Sequence, residues 1–377
     1  MTDRPAAPAT PREAPPASLP SIRPYLATLI VGTVVFCFAV FSAAAYFIVV
    51  RPAQDELARV EMTRAAAEVE SDIRGLIDQV ERLLSTARDW GYSGLIRIGV
   101  PDDFSNLMIP VLRNRPQVSA VLLANERGQA VLFGHGEAGG WLARVIDYEK
   151  LGARQHWTRL AADGSRASDE WIESDFDPRR RTWYQGALAL AQEDAIHWTE
   201  PHQFFTSKEP GISASMRWTD RDTGLRHVIA IDMLLLDLSR VTARVAVGKS
   251  GRAAILTQEG KLLGLPRHPL VKTDDDLKQR VLKTPREAGF MMLAGAYEQW
   301  TAAGRPEAQA GFFEAEGETW IGRFRPFRLG DRRLLIATVA PRSDFALGSI
   351  REALAIGAVM AMVLLLAFLA GRRFSRR

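Results

Sequence analysis

Two uncharged apolar runs bracket nearly all of this 377-residue chain, and they constrain its fold more than any other feature. The first, Tyr25 to Val50, is 26 residues long between Arg23 and Arg51. The second, Ala353 to Gly371, is 19 residues long between Arg351-Glu352 and Arg372-Arg373. At about 1.5 Å per residue, either run crosses a hydrocarbon core of roughly 30 Å. A buried core helix rarely carries so many consecutive uncharged, mostly apolar residues. Ala43-Ala44-Ala45 offers small residues for a signal-peptide cleavage site. However, signal h-regions are only about 7–15 residues long, so the first run reads as an uncleaved anchor.

Orientation follows from the short flanks. Arg4, Arg12 and Arg23 precede the first run, and Arg372, Arg373, Arg376 and Arg377 follow the second. Arginines near span ends mark the cytoplasmic side, while a long intervening domain is exported largely regardless of its charge. The expected layout is therefore a cytoplasmic tail (1–24), a first transmembrane helix (25–50), an exported region (51–350), a second transmembrane helix (351–371) and a cytoplasmic stub (372–377). Met1–Pro20 is rich in Pro and Ala and has too little apolar bulk to fold. A net charge of +4 gives no reason to expect nucleic acid as a partner. The only cysteine, Cys37, lies inside the first run, so the exported region has no disulfide, redox pair or thiolate metal site. A large exported domain without disulfides suits a Gram-negative periplasm, which makes this a two-pass protein of the bacterial inner membrane.

Inside the exported region, Pro52 suits a helix start, and no proline follows until Pro101. Ile73, Leu76, Ile77, Val80, Leu83, Leu84 and Ala87 recur at three- and four-residue spacing, the apolar stripe of one long helix placed at 51–98. Thereafter the pattern changes to short strands and turns. Val118–Ala124 and Gln129–Gly134 flank a turn at Asn125-Glu126-Arg127-Gly128, and Ala253–Thr257 and Lys261–Leu265 flank one at Gln258-Glu259-Gly260. A second hairpin type pairs Ile212–Trp218 with Leu225–Asp232, and Thr319–Phe327 with Arg332–Val339. This repeated order predicts an α+β fold of two modules with antiparallel sheets, at 99–240 and 241–350.

The first module carries a longer insertion, roughly residues 135–211, where unusual residues collect. Trp171 to Tyr184 reads W-I-E-S-D-F-D-P-R-R-R-T-W-Y. An arginine held among aromatic rings receives a carboxylate well, because its fork makes paired hydrogen bonds and the rings exclude water. Aromatic faces also accept a ligand ammonium. Asp232, at the end of the strand Val228–Asp232, could partner such an amine. The plain alternative is a turn at Asp177-Pro178, with Trp183 and Tyr184 in the core and the arginines solvated.

The segment D-P-R-R-R-T-W-Y, Asp177 to Tyr184, resembles the D-P-R-x-R-P-W-Y signature of double Cache sensor domains. W-T-E-P at Trp198–Pro201, E-P-G-I-S at Glu209–Ser213, the strand ending in Asp232 and A-P-R-S-D-F at Ala340–Phe345 are similar to that family as well. The resemblance spans roughly residues 52–350. It implies a long N-terminal helix carrying two PAS-like modules, a small ligand in the membrane-distal one, and a homodimer. It assigns the ligand carboxylate to Arg181, Trp183 and Tyr184 and a ligand amine to Asp232, with Phe176, Trp171 and His202 nearby. Two departures weaken an amino-acid ligand. Phe176 stands where the amino-acid-binding type has tyrosine. Pro201-His202 and Phe204 stand where that type has proline-tyrosine and then aspartate.

The expected function is thus a sensor of a small carboxylate, amino acid or amine, with no enzymatic activity and no cofactor. Only six residues follow the second run, so the cytoplasmic signalling domain such receptors use would be supplied outside this sequence. A membrane-anchored adaptor for a protein partner stays open, as does an exported hydrolase. Other motifs lead nowhere. Gly248-Lys249-Ser250 lacks the glycine five residues earlier that a P-loop needs, since Ala243 stands there. His197 and His202 flank Pro201, which argues against a helical metal-binding face. Asp274-Asp275-Asp276 lacks EF-hand spacing.

Overall fold

The computed structural model describes residues 23–98, 101–307 and 309–346, with a few helical residues between 358 and 369. Most of the N-terminal tail, the expected second span and the C-terminal stub lie outside the described residues. By contact the chain divides into two units, one of residues 55–345 and one of the chain on either side.

In the flanking unit, α1 (Arg23–Ala45) leads into a π-helical turn, Tyr46–Val50. Among the described residues, one helical stretch, Gly32–Tyr92, includes a segment long and apolar enough to cross a membrane, none of it buried against protein. The helix start expected at Pro52 is absent, because α2 (Arg51–Tyr92) follows the π turn directly. Proline has no N–H to give to the previous turn, and widening to π geometry is a common way for a helix to pass such a defect.

Within residues 55–345, α2 is the spine. Its 42 residues span about 63 Å. The buried stripe includes Met62, Ala65, Val69, Ile73, Ile77, Val80, Leu84 and Ala87, so it begins earlier than the periodicity at Ile73 suggested. The helix is followed by α3 (Pro101–Arg113), β1 (Val118–Asn125), β2 (Gln129–His135), β3 (Trp141–Asp147), α4 (Tyr148–Leu151), β4 (Arg154–Leu160) and β5 (Arg166–Glu173). Next come α5 (Thr182–Ala189), β6 (His197–Trp198), β7 (His202–Gln203), β8 (Pro210–Thr219), β9 (Arg226–Leu234) and α6 (Leu235–Arg244). The second module holds β10 (Arg252–Thr257), β11 (Leu262–Gly264), α7 (Asp274–Arg280), α8 (Met291–Ala302), β12 (Ala310–Ala315), β13 (Glu318–Leu329) and β14 (Arg332–Pro341).

All four expected hairpins form, as β1–β2, β8–β9, β10–β11 and β13–β14. Both sheets are antiparallel. The second runs β11-β10-β14-β13-β12, and the first runs β5-β4-β3-β2-β1-β9-β8-β6 with β7 also on β8. The 135–211 insertion is thus no loop excursion. It adds three strands beyond β2 and a short pair at the other edge.

Both sheets lay one face on α2. The N-terminal half of α2 meets the second sheet, where Arg325 pairs with Glu70 at 2.9 Å and Arg342 with Asp55 at 2.9 Å. Its C-terminal half meets the first. There the Trp198 indole donates to Glu81 at 3.1 Å, and Gly91 lies directly under the Trp218 ring. The far face of the first sheet is covered separately, by α5 and the segment leading into it. Phe176, Trp183, Tyr184 and Ala187 pack there over Ala120, Leu122, Leu132, Ile146 and Ala230.

Candidate functional site

Strand alternation decides which side chains reach that far face. On β3, Trp141 and Ala143 join the core around α2, so Leu142, Arg144 and Ile146 point the other way. On β9, Ile229, Ile231 and Met233 face α2, which leaves Val228, Ala230 and Asp232 opposite. Register then lines up two rows. Ser213, Asp232, Ala120 and Gly134 form one across β8, β9, β1 and β2. Ala230, Leu122, Leu132, Arg144 and Trp157 form the next. One acid and one arginine therefore stand on a floor of small and aliphatic residues.

The roof comes from the D-P-R-R-R-T-W-Y segment. Asp177 accepts from the Arg179 backbone N–H at 2.9 Å and from its guanidinium at 3.0 and 2.8 Å, which closes the short 3-10 turn Pro178–Arg180. Arg179 is thereby engaged outside the site, and Arg180 is exposed. Arg181 follows in extended backbone at the start of α5, its guanidinium carbon 5.2 Å from the Phe176 ring centroid and 5.8 Å from that of Phe205. Ser215 donates to the Trp183 carbonyl at 2.8 Å, which ties α5 to β8.

Arg144, Phe176, Arg181, Trp183, His202 and Asp232 meet around one cavity of about 20 Å³, whose wall also includes Phe204, Phe205, Thr206 and Ser213. That volume holds roughly one water. Beyond Phe204 and Thr206 opens a cleft of about 700 Å³ that shares Leu132 and Asp232 with the cavity. Gly211 admits the Phe204 ring, since a Cβ there would lie 2.0 Å from it.

The electrostatics follow from burial. Asp232 is pushed up to about 7 by loss of water, against the Ser213 hydroxyl, which donates to it at 2.6 Å, and against Arg144 and Arg181. Burial pulls Arg144 down to about 9, with Asp232 opposing and Arg181 adding to the fall. His202 is lowered by burial, partly offset by its bond to the Glu200 carbonyl, with Arg181 lowering it further. Arg144 is 1% exposed, and among the described residues its Nε and Nη1 have no hydrogen-bond partner. Its face instead meets rings, at 4.2 Å from the centroid of Phe176, 5.5 Å from Trp157 and 5.7 Å from Phe205.

Five of the seven residues singled out from sequence, Phe176, Arg181, Trp183, His202 and Asp232, therefore share one cavity. Tyr184 does not line it. Its ring packs in the same apolar layer but is turned toward Glu126 and Arg226, and burial pushes its hydroxyl up to about 12. Trp171 is a correction. It is 49% exposed on the outermost strand β5, stacked on His156 at 4.7 Å, with the Arg154 guanidinium carbon 5.1 Å from its ring centroid. β5 ends at Glu173, and the site begins beyond it, at Phe176.

Arg144, Ser213 and Phe205 were missed. Arg144 had a signal, because a lone arginine in W-L-A-R-V-I-D falls in phase with Leu142 and Ile146 on a strand buried on both faces. The motifs set aside have structural roles. Asp344 accepts from the backbone N–H groups of Lys249, Ser250 and Gly251, so a carboxylate sits on the turn that resembled a phosphate loop. Asp276 forms a capping box with Thr273 at α7. Among the described residues, no cluster of His, Cys, Asp and Glu is arranged to hold a metal.

No family model matches the chain. Methyl-accepting chemotaxis protein TlpA of Bacillus subtilis is 30% identical over 92 residues, 24% of this chain and 13% of TlpA. A probable methyl-accepting chemotaxis protein of Bacillus thuringiensis is 27% identical over 108 residues, 29% of this chain and 15% of that protein. Over those segments the chain is similar to bacterial methyl-accepting chemotaxis proteins. The matches span only about an eighth of those curated relatives. Among solved structures, the ligand-binding domain of the Pseudomonas fluorescens chemoreceptor CtaA, in complex with L-isoleucine, has 16% identity and a TM-score of 0.48, covering 80% of this chain and 98% of that one.

Proposed function

We propose that residues 51–350 form the periplasmic sensor of a two-pass inner-membrane receptor, non-enzymatic and dimeric, that binds a small carboxylate-bearing ligand in the module at 99–240. The observation that carries this reading is the charge arrangement under the aromatic roof. Two arginines and one acid converge in a water-poor site, and a buried guanidinium with open donors is costly unless something accepts from it. The sequence match to chemotaxis proteins supports the same reading. Binding would act by favouring one of two arrangements of the modules on α2, to the extent that the ligand's affinity differs between them. Output would then pass to a cytoplasmic signalling domain or a partner protein.

The 20 Å³ volume favours a second reading, an adaptor whose site is sealed by its own side chains. The adjoining cleft favours the first, because Phe204 and Thr206 border both spaces. The deciding experiment is a thermal-shift screen of the full chain in nanodiscs against organic acids, amino acids, amines and purines. A ligand that binds only the folded state raises the melting temperature by mass action. A shift that disappears in Arg181→Ala, with folding intact, is the expected result. No shift across the panel would favour the adaptor.

A further inference from the structure

The Arg144 and Arg181 guanidiniums approach one aromatic ring. Their carbons lie 4.2 and 5.2 Å from the Phe176 centroid, which holds them within about 9.4 Å of each other. Both also lie under 6 Å from the Phe205 centroid, at 5.7 and 5.8 Å. Among the described residues, Asp232 is the only acid lining the same cavity, and its Oδ1 is already occupied by the Ser213 hydroxyl. The site thus holds two cations against one acid.

An α-amino acid suits this arrangement poorly. Its carboxylate could pair with Arg181, but its ammonium would enter beside a second buried guanidinium, and Arg144 would keep its open donors. A ligand with two carboxylates removes both problems, since each guanidinium fork takes one. A short carbon chain between the carboxylates is compatible with that 9.4 Å limit, and the rings of Phe176 and Phe205 would cover it.

Building on the sensor reading above, we propose that the ligand is a short dicarboxylate bridging Arg144 and Arg181. Arg144 becomes a specificity-determining residue, and it lies outside the signature that suggested the site.

The test is calorimetry on the full chain in nanodiscs with succinate, its monoamide succinamate, and L-serine. Succinate and succinamate have nearly the same shape and differ by one charge. Succinate is expected to bind at least ten-fold more tightly than succinamate or serine. Arg144→Met is expected to erase the succinate preference, and Arg181→Met to erase binding. If Arg144→Met fails to fold, the wild-type succinate-to-succinamate ratio decides alone. Serine binding as tightly as succinate, or a preference that survives in folded Arg144→Met, overturns the dicarboxylate assignment while leaving a sensor that depends on Arg181. No binding of any of the three overturns the dicarboxylate assignment too, and a panel-wide failure of the thermal screen would take the sensor reading with it.

Discussion

The guanidinium carbon of Arg144 lies 4.2 Å from the centroid of the Phe176 ring, so a fully buried cation is supported by an aromatic face. Cation–π contacts contribute about 0.5–2 kcal/mol, more when dry. Phe176→Leu keeps much of the volume and is expected to cost about 1–2 kcal/mol. Phe176→Ala also leaves a void and is expected to cost about 3–5 kcal/mol. Chemical denaturation of the two variants checks the order, and a Phe176→Leu variant as stable as wild type would mean that the ring's face contributes nothing.

Asp232 gives the site a pH signature. Its folded-state value of about 7 is above the ordinary 3.8, so the folded chain holds more protons than the unfolded one between them. Its contribution to stability is therefore largest at low pH and falls as pH rises through that window, by up to about 1.4 kcal/mol per pH unit. Arg144 and Arg181 face the carboxyl and limit the fall, as does the Ser213 hydroxyl. Glu209, His135, Glu137 and Arg159 line the adjoining cleft. His202, lowered by burial, contributes the opposite slope below 6.5. The readout is therefore the difference between Asp232→Asn and wild type in melting temperature. The variant is expected to gain relative stability steadily from pH 4 to pH 7, and a constant difference would contradict the shift.

Gly91 is helical, and replacing a helical glycine with alanine ordinarily gains about 1 kcal/mol. Here a Cβ would lie 2.3 Å from the buried Trp218 ring. Gly91→Ala is expected instead to destabilise by about 1–3 kcal/mol through overpacking. Thermal unfolding gives the sign directly.

Asp344 closes the turn that opens the second sheet. Besides three backbone donors it accepts from the Ser250 hydroxyl at 2.9 Å. Asp344→Ala leaves those donors without a partner, at a cost of about 2–3 kcal/mol, and Asp344→Asn should fall between the two. Amide exchange at Lys249, Ser250 and Gly251 should speed up first.

The hairpins were legible because alternating apolar residues and turn chemistry are local signals. The stripe on α2 was legible because its period is 3.6. The strands of the insertion were not. β5, R-A-S-D-E-W-I-E, is exposed along nearly its whole length and has no buried face to impose alternation. β3 was hidden by the same arginine that makes it important. Asp177 to Tyr184 did mark the roof of the site, and Asp232 its floor. Proximity in sequence misled at Trp171, which stays on the outermost strand, and at Tyr184, which packs in the roof without lining the cavity. Ser213 needed the register of the β8–β9 hairpin before it could be placed beside Asp232, and Arg144 needed that of four strands, β9, β1, β2 and β3, which no local pattern carries.

The most direct test of ligand binding at this site uses Thr206, which lines both the small cavity and the cleft. In a Cys37→Ser background, Thr206→Cys supplies a single thiol whose maleimide labelling rate reports access to the site. The account predicts that saturating succinate slows labelling several-fold in the full chain in nanodiscs, and that Arg181→Ala abolishes the protection. A labelling rate unchanged by succinate, under conditions where calorimetry shows it bound, would contradict the account by placing the ligand elsewhere.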